Sequence, residues 1–322
     1  MKNLKCASFF AGVGGIDKGF ELAGFKTIFA NEFDKNASIT YKLNFPDVEF
    51  SIKDIRELDA DKDIPDFDIM LAGFPCQAFS VAGYRQGFDD KKGRGNLFFE
   101  LARIIEKKQP EIIFLENVKN LVSHDDGNTF RVISDTLEKL GYFVKSMVLN
   151  SCLYGNIPQS RERIYIVCFK NKDYYKNFDF PKPIKLEKTL ADCIDFENKQ
   201  DSKFYYNDKC IFFKQLKAGV TKSDTIYQWR RTYVRENKSK LCPTLTANMG
   251  MGGHNVPLIK TYDGKIRKLT PRECFNLQGF PADYKLPSEL CNSALYKQAG
   301  NSVVITVINR IAIEIKKAIS QK

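Results

Sequence analysis

The stretch Leu71-Ala72-Gly73-Phe74-Pro75-Cys76-Gln77-Ala78-Phe79-Ser80 decides how the chain is read. It closes an apolar, strand-like run, Asp68-Ile69-Met70-Leu71-Ala72-Gly73, with a rigid Pro-Cys pair. An α/β enzyme presents a nucleophile in this way, at the carboxyl edge of its sheet. Cys76 is the candidate nucleophile. The plainer alternative is a small buried thiol, the ordinary use of an intracellular cysteine.

Toward the N-terminus, residues 4 to 15 read as a short strand entering a glycine turn, Phe10-Ala11-Gly12-Val13-Gly14-Gly15, followed by an amphipathic helix from Ile16 to Ala23. Glycines let a backbone approach a nucleotide closely, and a helix start offers free N–H groups. The spacing is FxGxGG, so neither the GxGxxG fingerprint nor a phosphate loop is matched. A second strand, Lys26 to Ala30, ends in Asn31-Glu32. That acid lies roughly 20 residues past the glycines, where such folds grip ribose hydroxyls; a helix-capping pair is the alternative. Asp54 ends a third apolar stretch, Val48 to Ile52, in the same manner.

Toward the C-terminus, Cys76 to Asn96 holds four glycines and shows no hydrophobic period, which predicts a lid. An amphipathic helix over Leu97 to Lys108 and a buried strand over Glu111 to Val118 follow, the strand ending in a carboxylate beside an amide, Glu116-Asn117. A helix from Thr129 to Leu140 and β-rich runs at Tyr142 to Leu149 and Arg163 to Phe169 continue the pattern. Between those runs, Pro158-Gln159-Ser160-Arg161-Glu162-Arg163 brings two arginines to one turn. The alternation predicts an α/β, doubly wound, mostly parallel sheet.

With 322 residues the chain has room for one large domain and one small one. Hydrophobic residues at 43% and charged residues at 28% are ordinary for a globular protein, so disorder is not indicated. Nine scattered cysteines without a CxxC pair argue against a disulfide framework and a structural zinc site, and predict a reducing compartment with no metal. The longest uncharged run, Ile69 to Tyr84, is too short and too broken for a membrane span, so a cytoplasmic protein is expected.

The net charge of +11 is unevenly placed. Residues 1–175 carry 24 Lys+Arg against 25 Asp+Glu, residues 176–270 carry 19 against 10, and residues 271–322 carry 7 against 4. A basic block of this kind suits a polyanion, because neutralised phosphates release counterions, although a solvated lysine-rich surface looks the same in sequence. Within it, Gln228-Trp229-Arg230-Arg231-Thr232-Tyr233-Val234-Arg235 interleaves aromatics with arginines, and Pro243 to Gly253 is a polar, glycine-rich loop. Residues 1–175 are therefore expected to form a catalytic and cofactor-binding domain and 176–270 a small recognition domain. Residues 271–322 should return to the first domain through a helix from Val303 to about Ile319.

Taken together, FAGVGG at 10–15, NEFD at 31–34, Asp54-Ile55, GFPCQAFS at 73–80, ENV at 116–118, QSRER at 159–163, RKLTPRECFNLQGFP at 267–281 and GNSVV at 300–304 resemble the ordered motifs of the DNA cytosine-C5 methyltransferases, of the small bacterial and phage restriction-modification type. The resemblance implies methyl transfer from S-adenosyl-L-methionine to C5 of a cytosine flipped out of a short duplex DNA site. It implies Cys76 as the nucleophile toward C6 and Glu116, with a raised pKa, as the acid at N3. Arg163 and Arg161 would hold O2. The methyl donor would lie among Phe10, Gly12, Gly14, Glu32, Asp54 and Pro75, completed by Asn301 and Ser302. DNA contacts are expected from Arg94 in the lid and from Arg230, Arg231, Thr244 and Thr246. One departure is Asn276, where many relatives carry arginine, at a position of structural character.

Monomeric action and genetic pairing with a restriction endonuclease complete the expectation. The alternatives are the tRNA-methylating branch of the same fold and a catalytically silent DNA-binding relative. The first would share the donor pocket and the Cys/Glu/Arg set, while the second has no reason to keep Cys76, Glu116 and Arg163 together.

Overall fold

A computed structural model describes residues 4–75, 97–250 and 256–321. In chain order the elements begin with β1 (Lys5–Phe9), α1 (Gly15–Leu22), β2 (Lys26–Asn31), α2 (Lys35–Asn44), β3 (Glu49–Ser51), β4 (Ile69–Gly73), α3 (Leu97–Lys108), β5 (Ile112–Val118), α4 (Asn128–Lys139) and β6 (Phe143–Asn150). They continue with α5 (Ser151–Tyr154), β7 (Gln159–Ser160), β8 (Glu162–Phe169), α6 (Lys172–Asn177), α7 (Phe213–Gly219), β9 (Tyr227–Arg230), β10 (Tyr233–Glu236), β11 (Cys242–Pro243), β12 (Leu258–Lys260) and β13 (Ile266–Lys268). The last helices are α8 (Pro271–Asn276), α9 (Asn292–Asn301) and α10 (Ile305–Ser320). The chain divides into two compact units, one of residues 1–149, 162–182 and 308–322, the other of residues 150–161 and 183–307.

The first unit is a seven-stranded sheet in the order β3-β2-β1-β4-β5-β8-β6. Strands β1 to β5 pair in parallel along this order, and β8 lies antiparallel on β5. The apolar runs of β4 and β5 explain their central place: Ile69 to Ala72 and Ile112 to Leu115 are wholly buried, as strands covered on both faces must be. Since β1 is flanked by β2 and β4, the sheet winds outward both ways from this point, and the carboxyl ends there face the crevice where such sheets bind ligands. These features are those of the doubly wound, mostly parallel α/β fold.

The turn after β1 is set by backbone conformation. Phe10, Gly12 and Gly14 all adopt positive φ, at 52°, 57° and 75°. Gly14 caps α1, and a Cβ there would fall 2.2 Å from the Phe45 ring. Asp17, in the first turn of α1, is fully buried and accepts hydrogen bonds from Ser8 Oγ and Tyr41 Oη, each at 2.9 Å. One carboxyl thus ties β1, α1 and α2 together.

The second unit has a four-stranded sheet, β10-β9-β12-β13, and a two-stranded parallel pair, β11-β7. The hairpin β9–β10 turns at Arg231-Thr232, with Arg231 at φ 59°, and Phe212 stacks on Trp229 with ring centroids 4.6 Å apart. Before α8 the segment Thr270-Pro271-Arg272-Glu273 forms a capping box. Its Glu273 takes Arg267 at 2.6 and 2.8 Å in a buried fork-to-fork pair. Asn276, the departure noted in the sequence, donates to the Cys193 carbonyl at 3.2 Å, a structural bond between residues far apart in the chain.

These units differ from the expected 1–175, 176–270 and 271–322. Residues 271–307 cluster with the recognition segment because Arg267 pairs with Glu273, Tyr296 Oη donates to the Leu269 carbonyl, and Gly300 packs on Thr246. Only residues from Ile308 onward belong to the first unit, where Asn309 and Lys316 donate to the carbonyls of Gly19 and Ala23.

Burial pushes Asp17 up to about 6 from 3.8. A carboxyl whose folded value lies above its unfolded value favours folding while protonated, so the stability present below about pH 4 is lost as pH rises through about 6, on the order of 3 kcal/mol. Asp17→Asn should therefore gain stability relative to the parent between those values and run parallel above them; urea-unfolding curves parallel over the whole range would refute this.

Candidate active site

Glu116 lies near the carboxyl end of β5, and its side chain reaches Arg163, whose Nε lies 3.1 Å from Glu116 Oε1. The sheet register explains the meeting. Glu116 faces Tyr165 and Val118 faces Arg163 in the antiparallel β5–β8 ladder, so Glu116 and Arg163 form a diagonal pair within reach of long side chains. Both are largely buried, with side-chain exposures of 10% and 14%. Arg163 also donates from Nη1 to the Glu162 carbonyl at 2.8 Å, which fixes the guanidinium plane.

On the other side of β5, Gly73 is the register partner of Glu116, and a Cβ at Gly73 would fall 3.5 Å from Glu116 Oε2. The next residues are Phe74 and an exposed Pro75. Asn117, buried beside Glu116, donates from Nδ2 to the Phe74 carbonyl at 2.9 Å and accepts from Val118 N at 2.8 Å. The amide of the ENV stretch thereby fixes the chain two residues ahead of Cys76. Cys76 and Arg94 lie outside the described residues.

The glycine turn after β1 meets the end of β2. Glu32 accepts from Gly12 N at 2.9 Å and from Asp34 N at 2.8 Å, and burial pushes its carboxyl up from the ordinary glutamate value. No described atom lies within 4 Å of where a Gly12 Cβ would stand, so a ligand could approach the backbone there. Phe10, partly buried, packs on the sheet core. Asp54 is held below the ordinary aspartate range by the Arg56 side chain, whose Nε it accepts at 2.9 Å, and it also caps the turn at Arg56 N.

Phe33 and Ile52, which sequence reasoning passed over, are 64% and 53% exposed. They follow Glu32 and Ser51, which the ladder joins through Glu32 N to the Ser51 carbonyl, so both leave the sheet at the same end. Such large apolar side chains beside the Glu32 carboxyl suit the faces of a flat ring. The signal was present in the sequence as a phenylalanine directly after the acid, inside NEFD.

The remaining expected residues belong to the second unit. Arg161 is buried, and its guanidinium is turned onto backbone: it donates to the carbonyls of Leu245 at 2.7 Å, Gly300 at 3.0 Å and Ser302. This placement differs from the expected contact with a base. Asn301 is exposed at the end of α9, and Ser302 is buried just beyond it. Arg230 is half-buried and bonded to Gln228 at 3.1 Å, while Arg231 is exposed at the hairpin tip. Thr244 donates to the Ser160 carbonyl at 2.7 Å, and Thr246 lies against Gly300. Among the described residues no group of three His, Cys, Asp or Glu side chains could hold a metal ion, and no helix is long and apolar enough to cross a membrane.

A family model described as C-5 cytosine-specific DNA methylase matches residues 4–317. The Type II methyltransferase M.Bsp6I of Bacillus sp. (strain RFL6) is 61% identical over 317 residues, covering 98% of this chain and 99% of the relative. The Type II methyltransferase M.HhaI of Haemophilus parahaemolyticus is 39% identical over 337 residues, covering 100% of this chain and 97% of that one. Among solved structures, a mutant DNMT2 of Spodoptera frugiperda superposes with a TM-score of 0.74 at 21% identity, covering 97% of this chain and 99% of that chain. The Dnmt2 methyltransferase of S. pombe has a TM-score of 0.74 at 20% identity, covering 97% and 98%. At those identities the two structures speak to the fold, which they share with this chain.

Asn117→Ala would leave the Phe74 carbonyl without its donor. A buried acceptor left unpaired costs about 1–3 kcal/mol, so the urea-unfolding midpoint should fall accordingly, and an unchanged midpoint would show that Asn117 does not anchor this turn.

Proposed function

Because the chain belongs to the C-5 cytosine-specific DNA methylases, we propose that it transfers a methyl group from S-adenosyl-L-methionine to C5 of a cytosine flipped out of a short, specific duplex site, through a covalent bond from Cys76 to C6 of the base. The observation that carries this reading is the Glu116–Arg163 pair at the carboxyl end of β5, directly opposite the strand that leads to Cys76.

The residue types answer the chemistry. Carbon 5 of cytosine is a weak nucleophile, and addition of the Cys76 thiolate to C6 saturates that carbon and leaves N4–C4=C5 as an enamine whose C5 can take a methyl group. Negative charge then moves toward N3 and O2. Glu116 would share a proton with N3, and Arg163 would place fixed positive charge by O2 while keeping the Glu116 carboxyl in line. Loss of the C5 proton and departure of the Cys76 sulfur restore the C5–C6 double bond. The lid expected over 77–96, with Arg94, would close on the extruded base.

S-adenosyl-L-methionine supplies an electrophilic methyl group on its sulfonium sulfur. The open space over Gly12, the Glu32 carboxyl at the turn and the exposed rings and chains of Phe33 and Ile52 fit its adenosine. Phe10, Gly14, Asp54 and Pro75 would complete that pocket, Gly14 by shaping the turn; Asn301 and Ser302 are further candidates. Arg230, Arg231, Thr244 and Thr246 are the candidate DNA contacts, with Arg231 best exposed for one. Genetic pairing with a restriction endonuclease belongs to this reading. Action as a monomer belongs to the same reading.

Labelled methyl from the donor should enter duplex DNA and not tRNA; the reverse result would move the protein to the tRNA-methylating branch. Cys76→Ala should abolish transfer while duplex binding remains measurable, and duplex containing 5-fluorocytosine should trap the parent protein covalently, since fluorine cannot leave as a cation. Arg163→Ala should lower kcat by about 10²- to 10³-fold, the usual loss for one preorganised donor at developing charge; a parent-like kcat would remove Arg163 from the site. Because Glu32 protonates above the ordinary glutamate range, donor affinity should weaken as pH falls through that raised value. Glu32→Gln should bind weakly with a flat pH profile by calorimetry, and a variant that kept the parent's slope would assign the titration elsewhere.

A further inference from the structure

The segment Gln159-Ser160-Arg161 holds a second piece of chain, 242–247, by contacts the reaction described above does not use. Strand β7 pairs in parallel with β11, with Gln159 facing Cys242 and Ser160 facing Pro243. Gln159 is fully buried: its Nε2 donates to the Leu277 carbonyl at 2.7 Å, and its Oε1 accepts from Leu245 N at 3.1 Å. Thr244 Oγ1 donates to the Ser160 carbonyl. Arg161 then closes the arrangement by donating to the Leu245, Gly300 and Ser302 carbonyls.

Gly300 presses on the same piece. A Cβ at Gly300 would stand 2.1 Å from the Thr246 carbonyl carbon, 2.2 Å from its oxygen and 2.4 Å from Ala247 N, distances no side chain can occupy. Two backbones are therefore in direct apposition. Three carbonyl oxygens converging on one point need several donors held in one plane. A guanidinium provides that fork, whereas an ammonium of the same charge is a single point. The path of 244–247 is thus fixed by the Arg161 fork and the Gln159 amide acting on main-chain atoms, by Thr244 Oγ1 on the Ser160 carbonyl, and by the missing side chain at Gly300.

We propose that Arg161 is a positioning residue for DNA engagement: it fixes the path of Thr244-Leu245-Thr246-Ala247 so that this segment meets the duplex in one register, and it makes no contact with the reacting base. The proposal rests on the DNA-methylating reading above. It separates the two arginines of QSRER by role, Arg163 acting at the carboxyl group of Glu116 and Arg161 acting on the recognition segment.

The test is steady-state kinetics at saturating donor with a cognate duplex, each rate normalised to the fraction of enzyme trapped by 5-fluorocytosine duplex so that loss of folded protein does not enter. Arg161→Lys and Gly300→Ala displace the same segment by different means, one loosening its anchor and the other crowding its backbone. Each should raise KM for the duplex by about 10- to 100-fold, the scale of a misplacement near 1 Å, with normalised kcat held within about twofold. The double variant should be no worse than the poorer single one, because both changes release one element. The proposal fails if Arg161→Lys lowers normalised kcat with KM for DNA unchanged, as a guanidinium on the base would require. It also fails if Gly300→Ala leaves KM for DNA unchanged, or if the two effects multiply. Arg161→Ala serves as a third variant, and if it does not fold the other two still decide. Absence of any duplex methylation by the parent protein would instead refute the functional reading and is seen before any variant is made.

Discussion

The reversal of one strand organises the catalytic end of the sheet. Strands β1 to β5 run in parallel, and their carboxyl ends share one edge. Strand β8 lies the other way on β5, so its first residues, not its last, arrive at that edge. A parallel β8 would carry Arg163 to the far side of the molecule from Glu116. The antiparallel ladder instead sets the two on a diagonal with side chains 3.1 Å apart, and it does so where β4 hands the chain to Phe74 and Pro75. Opposed charges at the edge of a buried sheet are costly to separate, so the ladder and the pair hold each other in place.

Around the turn after β1 two buried carboxyl groups do different work. Asp17 is enclosed by Ser8 and Tyr41 and serves as a structural tie between β1, α1 and α2. Glu32 is raised by burial as well, yet it sits on the amides of Gly12 and Asp34 at the mouth of the turn. Three residues with left-handed backbone, Phe10, Gly12 and Gly14, shape the loop between them. The loop thus meets one carboxyl sealed from solvent and one bonded to its own backbone amide at Gly12.

Much of this was legible in the sequence where physics is local. The helix over Leu97 to Lys108 emerges with the bounds its periodicity predicts, and the apolar runs of β4 and β5 are as buried as their composition requires. Glu116, Glu32 and Gly12 stand at strand ends and turns because alternation of strand and helix puts them there. What was not legible depends on partners distant in the chain. Nothing near Arg161 says whether its fork meets a base or three carbonyls contributed by residues 84 to 141 positions away. The fate of residues 271–307 was hidden for the same reason, since Arg267, Glu273 and Tyr296 bind them to the recognition segment through long-range contacts. Asp17 looked like one acid in an amphipathic helix, and only the tertiary fold encloses it.

The second unit is drawn from two stretches of chain, 150–161 and 183–307, with β8 and α6 lying between them in sequence. That interruption bears on how new specificities could arise by exchange of segments between relatives. A graft of 183–307 alone would bring in carbonyls not shaped to this chain's Gln159-Ser160-Arg161 clasp, and inheritance of a working recognition unit therefore calls for the short upstream piece, 150–161, to travel alongside the long one.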